Sequence, residues 1–117
     1  AGLRRARELI LWEANRIGMC LPQLVESRRA GGVSFAPDTV AWLTARFETD
    51  RARFDSLLAG GPFFHSDAPG AGDCAIWGYT QWLDAAGVGP SANMAAWLAR
   101  MGALADRALP GGAFNAD

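Results

Sequence analysis

The sequence contains no lysine, one histidine and only two cysteines among its 117 residues. Without lysine, the chain cannot use a lysine Schiff base or a lysine general base. Two cysteines and one histidine are too few for a typical structural zinc site, and a disulfide framework is implausible. We therefore expect Cys20 and Cys74 to be buried as small apolar side chains, in a protein of the reducing cytoplasm.

An excess of one charge and long hydrophobic runs are also lacking. Eleven basic residues, all arginine, face 12 acidic residues, and no basic stretch indicates nucleic-acid binding. The apolar runs are too short to cross a bilayer, and we expect neither a signal peptide nor a membrane partner. Ala1 stands almost directly at the start of a helical pattern, without an initiator methionine, so we expect a piece of a longer protein.

Apolar residues make up half of the chain and recur with helical spacing, and no alternating strand pattern occurs. This predicts an all-α fold, a single helical bundle in one domain over residues 1–117, with its core in 3–109 and a loose tail at 110–117. Four main helices are predicted, over residues 3–28, 37–59, 71–86 and 93–109. Pro22 should kink the first of them near Gly18–Pro22 rather than end it.

Side-chain roles in the middle helices follow from the same patterns. Asp50 and Arg51 border the apolar stripe of the second helix; we expect surface charge there, with a buried interface contact as the alternative. The third helix is apolar nearly all round and should be central, with Trp77 almost fully buried and Tyr79 in the core. Gly78 should let another helix approach closely.

The start of the third helix carries a capping signal. With Gly70 as the N-cap, Asp73 stands at the third helical position, where a carboxylate accepts hydrogen bonds from free backbone N–H groups. We expect Asp73 to be buried and bonded near Gly70. Serine at position 70 should stabilise the helix by adding a cap oxygen. His65, in the preceding loop, is expected to be a solvated side chain.

This segment resembles the C-terminal helical domain of the glutathione S-transferase family. The family opens its central helix with a P-S/T-x-x-D box after an aromatic loop, and the matching residues here are Pro62-Phe63-Phe64, Pro69 and Asp73. Gly70 replaces the usual Ser or Thr. Residues 93–101 are similar to the next helix of the family. The resemblance implies that glutathione and the thiol-activating group belong to an N-terminal thioredoxin-like domain, so this chain has no catalytic residue, metal site or cofactor of its own.

The first predicted helix has a second apolar side. At 100° per residue, Trp12, Asn15 and Met19 fall opposite the stripe that contains Ile10 and Ile17. The family resemblance implies that these three residues belong to the pocket for an apolar electrophile, or to an interface. The alternative is an incidental, partly exposed Trp and Met.

Two functions remain open at this stage. The chain could be the helical half of a glutathione transferase-like enzyme, inactive alone, which supplies the hydrophobic substrate pocket and contacts a thioredoxin-like domain or a second subunit in a homodimer. It could instead be a stand-alone helical interaction module without catalytic activity. A titration with glutathione distinguishes them.

Overall fold

The computed structural model describes residues 2–65 and 67–108, and all regular structure within those residues is helical. The helices are α1 (Gly2–Asn15), α2 (Ile17–Arg28), α3 (Pro37–Leu58), α4 (Ala71–Thr80), α5 (Leu83–Ala86) and α6 (Ala92–Ala108). The prediction of an all-α fold is confirmed. The expected loose tail, residues 110–117, lies outside the described residues.

The first predicted helix consists of two helices. The backbone leaves the helical conformation at Arg16, with φ −121° and ψ −83°. The predicted kink near Gly18–Pro22 is therefore wrong, because the break precedes Gly18 and Pro22 lies inside α2. The side chain of Arg16 reaches Asp50 of α3 and so ties the junction of α1 and α2 to a third helix.

The predicted limits of α3 are confirmed to within one residue. Pro37 occupies the first helical turn, where its missing N–H has no helical partner to lose, and Asp38 favours the positive end of the helix dipole. At the other end, Ala59 and Gly60 adopt left-handed conformations with φ of 53° and 75°. This reversal ends the helix at Leu58.

The third predicted helix also divides, into α4 and the four-residue α5. The helix that follows, α6, begins one residue earlier than predicted, because Ser91 caps it. The Ser91 hydroxyl accepts a hydrogen bond from the Met94 N–H at 3.1 Å and donates one to Asp55 Oδ1 of α3 at 2.6 Å. A serine at the N-cap thus also joins α6 to α3.

The core lies where these helices meet. Helix α1 packs against α2 and α4, α2 also contacts α3, α4 and α5, and α6 packs against α3 and α4. At the centre, the rings of Phe54, Phe64 and Trp97 contact one another edge to face, with centroids 5.0 to 5.8 Å apart. The loop before α4 therefore contributes to the core as much as the helices do.

Helix α4 is less enclosed than its sequence predicts. It contacts α1, α2 and α6, but Trp77 is only half-buried and Tyr79 is exposed, so both burial predictions are wrong. Gly78 also has no neighbour, since a Cβ there would meet no atom within 4 Å. The close approach occurs at Gly72, where a Cβ would lie 2.7 Å from Leu9 Cδ1 of α1.

The orientation of α1 also differs from the predicted one. Leu3 and Ile10, predicted to face the bundle, are exposed, whereas Leu9 and Glu13 are buried. The helix does have two apolar sides, as the pattern indicates. The side that carries Leu9 packs against α4, and the side that carries Leu3 and Ile10 has no partner among the described residues.

Candidate functional site

Asp73 holds the entrance of α4 against two other parts of the fold. Its side chain is fully buried, and Oδ2 accepts a hydrogen bond from the Gly70 N–H at 2.9 Å. Oδ1 accepts two more, from the Phe64 N–H at 3.1 Å and from the Trp97 indole N–H at 2.9 Å. One carboxylate thus joins the preceding loop, the first turn of α4 and the middle of α6. Sequence reasoning missed the indole, although a buried Trp requires an acceptor.

The histidine of the same loop explains why position 70 is glycine. A Cβ built on Gly70 would lie 2.6 Å from His65 Cδ2 and 3.1 Å from Cγ, closer than van der Waals contact allows. Gly70 itself has an ordinary extended backbone, with φ −116°, so the residue is required for space and not for conformation. Serine at position 70 should therefore destabilise the protein, contrary to expectation. His65 is half-buried rather than solvated, and its Nε2 is buried.

A buried ion pair lies at the break between α1 and α2. Arg16 Nε is 2.7 Å from Oδ1 of Asp50, whose side chain is only 2% exposed. The expectation of surface charge at Asp50 is therefore wrong. The signal was present, since Asp50 stands three residues after Phe47 and four before Phe54, on the buried stripe of α3.

The thiol of Cys20 belongs to the same region and is fully buried. Burial raises its pKa, the Asp50 carboxylate adds to that rise, and the guanidinium groups of Arg46 and Arg16 oppose it. A thiol that is buried and holds its proton is a poor nucleophile. Cys74 lies exposed on α4, so its predicted burial is wrong, whereas that of Cys20 is confirmed.

Glu13 is a second buried acid, and it faces α2 and α4. Its side chain is 4% exposed, and Oε1 has no hydrogen-bond partner among the described residues. Burial therefore raises the pKa of this carboxyl. Oε1 lies 2.7 Å from the position of a Cβ on Gly18, so glycine is needed there to admit the acid. The spacing of Leu9, Glu13 and Ile17 by four residues could have indicated this burial.

The three residues expected at a substrate pocket or interface occupy different positions. Trp12 is half-buried, packs against the core and lines a shallow cavity of about 110 Å³ with Leu57 of α3. Met19 lies in α2 and is also half-buried against the core. Asn15 is exposed at the end of α1, where its Nδ2 donates to the Leu11 carbonyl at 2.8 Å. The break at Arg16 prevents Trp12 and Met19 from lying on one line of a continuous helix.

Exposed apolar residues occur on both of the adjoining helices α1 and α4. On α1 it consists of Leu3, Ile10 and Leu11, which are 66%, 39% and 64% exposed. On α4, besides Tyr79, three small residues spaced by three and four are exposed; they are Ala71, Cys74 and Gly78. We call these six residues the α1/α4 surface. A cluster of exposed apolar side chains is typical of an interaction site, whereas single ones are ordinary.

Neither a metal site nor a membrane-spanning helix is found in the part of the chain that the structure describes. Those residues hold no group of three or more His, Cys, Asp or Glu side chains that could bind a metal ion. Their helices include none that is both long enough and apolar enough to cross a membrane.

Comparison with known proteins gives a family match that spans Asp73. Residues 25–100, about two thirds of the chain, match the family model described as the glutathione S-transferase, C-terminal domain. No curated protein and no solved structure matches the chain. The matched residues include α3, the aromatic loop, the capped helix α4 and most of α6. The chain belongs to the glutathione S-transferase C-terminal domain family.

Proposed function

We propose that this chain is the helical half of a glutathione S-transferase-like protein, and that a thioredoxin-like domain docks on the α1/α4 surface. The single observation that carries the proposal is that α1 exposes three large apolar side chains, Leu3, Ile10 and Leu11, while the adjoining α4 exposes small residues. At about 25 cal/mol per Å² of apolar area, such a surface favours association. Glutathione and the group that activates its thiol would come with the docked domain.

The small residues of α4 suit the close approach of another helix. A Cβ placed on Gly78 would meet no atom of residues 2–65 and 67–108 within 4 Å, so none of the described residues fills the space above it. Helices pack most closely where one of them presents small side chains, because the ridge of its neighbour then settles deeper. The larger side chains Leu3, Ile10 and Leu11 would border this contact from α1.

The role of Trp12, Asn15 and Met19 as substrate-pocket or interface residues remains part of this proposal. Asn15 is the best placed, because it lies four residues after Leu11 on the same side of α1. Trp12 and Met19 keep part of their side chains accessible and would line the apolar edge of a pocket. In such a pocket, the thiolate sulfur of glutathione would form a bond to the electrophilic carbon of an apolar substrate, and the bond from that carbon to its leaving group would break, so that the leaving group departs with the electron pair, as chloride does from 1-chloro-2,4-dinitrobenzene.

The second candidate function is a stand-alone interaction module, for which the same surface would bind a partner protein or a second copy in a homodimer. We favour the enzyme half because the chain belongs to a transferase family. A cytoplasmic location is part of both proposals, and neither includes a cofactor bound by this chain alone.

The test joins the chain to the thioredoxin-like domain of a glutathione transferase. The isolated chain should not bind glutathione, whereas the joined protein should bind it and conjugate it to 1-chloro-2,4-dinitrobenzene. Changing Ile10 and Leu11 to Gln should remove conjugation without lowering helix content. Val33→Gln is the matched control, since Val33 is also 66% exposed but lies outside the α1/α4 surface.

Two results would contradict the enzyme proposal. One is glutathione binding by the isolated chain, because the site would then lie within these helices. The other is full conjugation by the joined protein after Ile10 and Leu11 have both been replaced. A joined protein without activity, together with a chain that forms a stable dimer through the same residues, would favour the interaction module.

A further inference from the structure

A groove separates the aromatic loop from α6, away from the α1/α4 surface. Its volume is about 510 Å³, within the range of small-molecule pockets. Phe63 and Pro69 line it from the loop, and Ala103 and Leu104 line it from α6. The lining is mainly apolar, and the groove is open to solvent.

Two arginines stand along the α6 wall of this groove. Arg100 and Arg107 are seven residues apart, so they lie on the same side of α6, about 10 Å apart along its axis. Arg100 Nε donates to the Pro62 carbonyl at 3.0 Å, and Arg107 Nε donates to the Ala103 carbonyl at 3.3 Å. These bonds hold each guanidinium through its Nε, and no hydrogen bond from its terminal N–H groups to another described residue is found.

The charge of the groove is unbalanced. Among the described residues, Asp67 is the one acid in the lining, and neither arginine forms an ion pair. Elsewhere in the fold, Arg4, Arg16 and Arg29 do pair with carboxylates. A guanidinium that is fixed by its Nε and borders an apolar cavity is suited to a carboxylate, which it binds through two parallel hydrogen bonds.

We propose that this groove binds an amphipathic monocarboxylate, with its apolar chain along Phe63 and Leu104 and its carboxylate on Arg107. Arg107 is the more exposed of the two arginines and stands at the end of the groove. A neutral apolar molecule would give neither guanidinium group an anionic partner, and an amine would be repelled by them. The proposal uses residues of the loop and α6 only, and it does not depend on the function proposed above.

The experiment titrates the 117-residue chain with decanoate, and with decanamide and decylammonium as neutral and cationic analogues of equal chain length, by isothermal calorimetry. Decanoate should bind at one saturable site, at least about tenfold more tightly than decanamide, as expected for a hydrogen-bonded charge pair. Decylammonium should not bind. Asp67→Asn should strengthen decanoate binding.

Three variants locate the site. Arg107→Met keeps the apolar stem and should weaken decanoate binding at least about tenfold while leaving decanamide unchanged. Ala103→Trp should fill the groove and abolish binding. Arg7→Met removes an exposed charge from α1 and should change nothing. Far-UV circular dichroism and the urea midpoint confirm that each variant is folded.

Several outcomes would overturn the proposal. Equal affinity for decanoate and decanamide would mean that the guanidinium groups play no part. Binding that survives Ala103→Trp would place the ligand elsewhere. If decanoate bound only to a chain that ends at Ala108, the groove would be assigned to residues 109–117 of the chain itself. If the chain formed a dimer that Ala103→Trp abolished, the groove would be assigned to a second copy of the chain.

Discussion

Replacing Gly70 with serine tests how the start of α4 is built. In most helices, serine at the N-cap is better than glycine by a few tenths of a kcal/mol, because its hydroxyl accepts a backbone hydrogen bond. Here the new Cβ would lie 2.6 Å from His65 Cδ2. Overpacking of this kind costs about 1–3 kcal/mol. The clash outweighs the cap, so Gly70→Ser should lower the free energy of unfolding by roughly 1–2 kcal/mol.

A double-mutant cycle isolates the cause. With His65→Ala in the background, the clash disappears and Gly70→Ser should stabilise the protein by a few tenths of a kcal/mol. Urea unfolding of the four proteins, followed by tryptophan fluorescence, gives the coupling energy. Gly78→Ser is the control, because Gly78 also lies on α4 but has open space where its Cβ would stand. A destabilisation by Gly70→Ser that is equally large without His65 would refute the explanation.

Three further predictions concern buried carboxyl groups. Asp73→Ala leaves two buried donors and one partly buried donor without an acceptor, and it should lower the free energy of unfolding in urea by at least about 3 kcal/mol. A loss of only about 1 kcal/mol would indicate a simple helix cap. Arg16→Met leaves Asp50 buried without its counter-ion and should lower the free energy of unfolding by about 3 kcal/mol. Arg4→Met removes an exposed pair and should change the free energy of unfolding by less than about 1 kcal/mol. Equal effects of the two substitutions would contradict the buried pair. Burial raises the pKa of Glu13 in the folded protein above 4.5. The contribution of Glu13 to the free energy of unfolding is therefore fully present below pH 4.5, and it is lost as the pH rises through the folded-state pKa. Glu13→Gln should therefore gain stability relative to wild type as the pH rises above 4.5 in thermal unfolding, and a difference that does not change with pH would contradict this.

The parts of the fold that could be predicted are those with local causes. Pro37 begins α3 and the left-handed residues after Leu58 end it, and both signals lie in a few neighbouring residues. The position of Asp73 in the first turn of α4 depends likewise on local spacing. Helix content and the capped start of α4 therefore follow from the sequence.

The orientation of α1 could not be predicted, because both of its sides are apolar. Leu3 and Ile10 fit a bundle-facing stripe as well as Leu9 does, and only the contact of Leu9 with Gly72 of α4 decides between them. Likewise, periodicity does not distinguish Trp77 from Trp97. The buried indole of Trp97 donates a hydrogen bond to the carboxylate of Asp73, and these two residues are 24 positions apart in the sequence.

The candidate site was predicted only in part, for a similar reason. The pattern indicates that the first helical segment has a second apolar side, but the break at Arg16 assigns Trp12 and Met19 to different helices. The break itself is accompanied by an ion pair to Asp50 across 34 residues. Long-range polar contacts of this kind leave no periodic signal in the sequence.

The central claim is that the α1/α4 surface is covered in the working protein, and alkylation of Cys74 tests it most directly. Cys74 is exposed on this surface, and Cys20 is a fully buried internal reference. The measurement compares the alkylation rate of Cys74 in the protein isolated from its own cells with the rate in the 117-residue chain, by mass spectrometry of the peptides. The claim predicts that Cys74 reacts at least about tenfold more slowly in the native protein, while Cys20 is inert in both. Equal rates at Cys74 would show that nothing docks on α4, and would contradict the account.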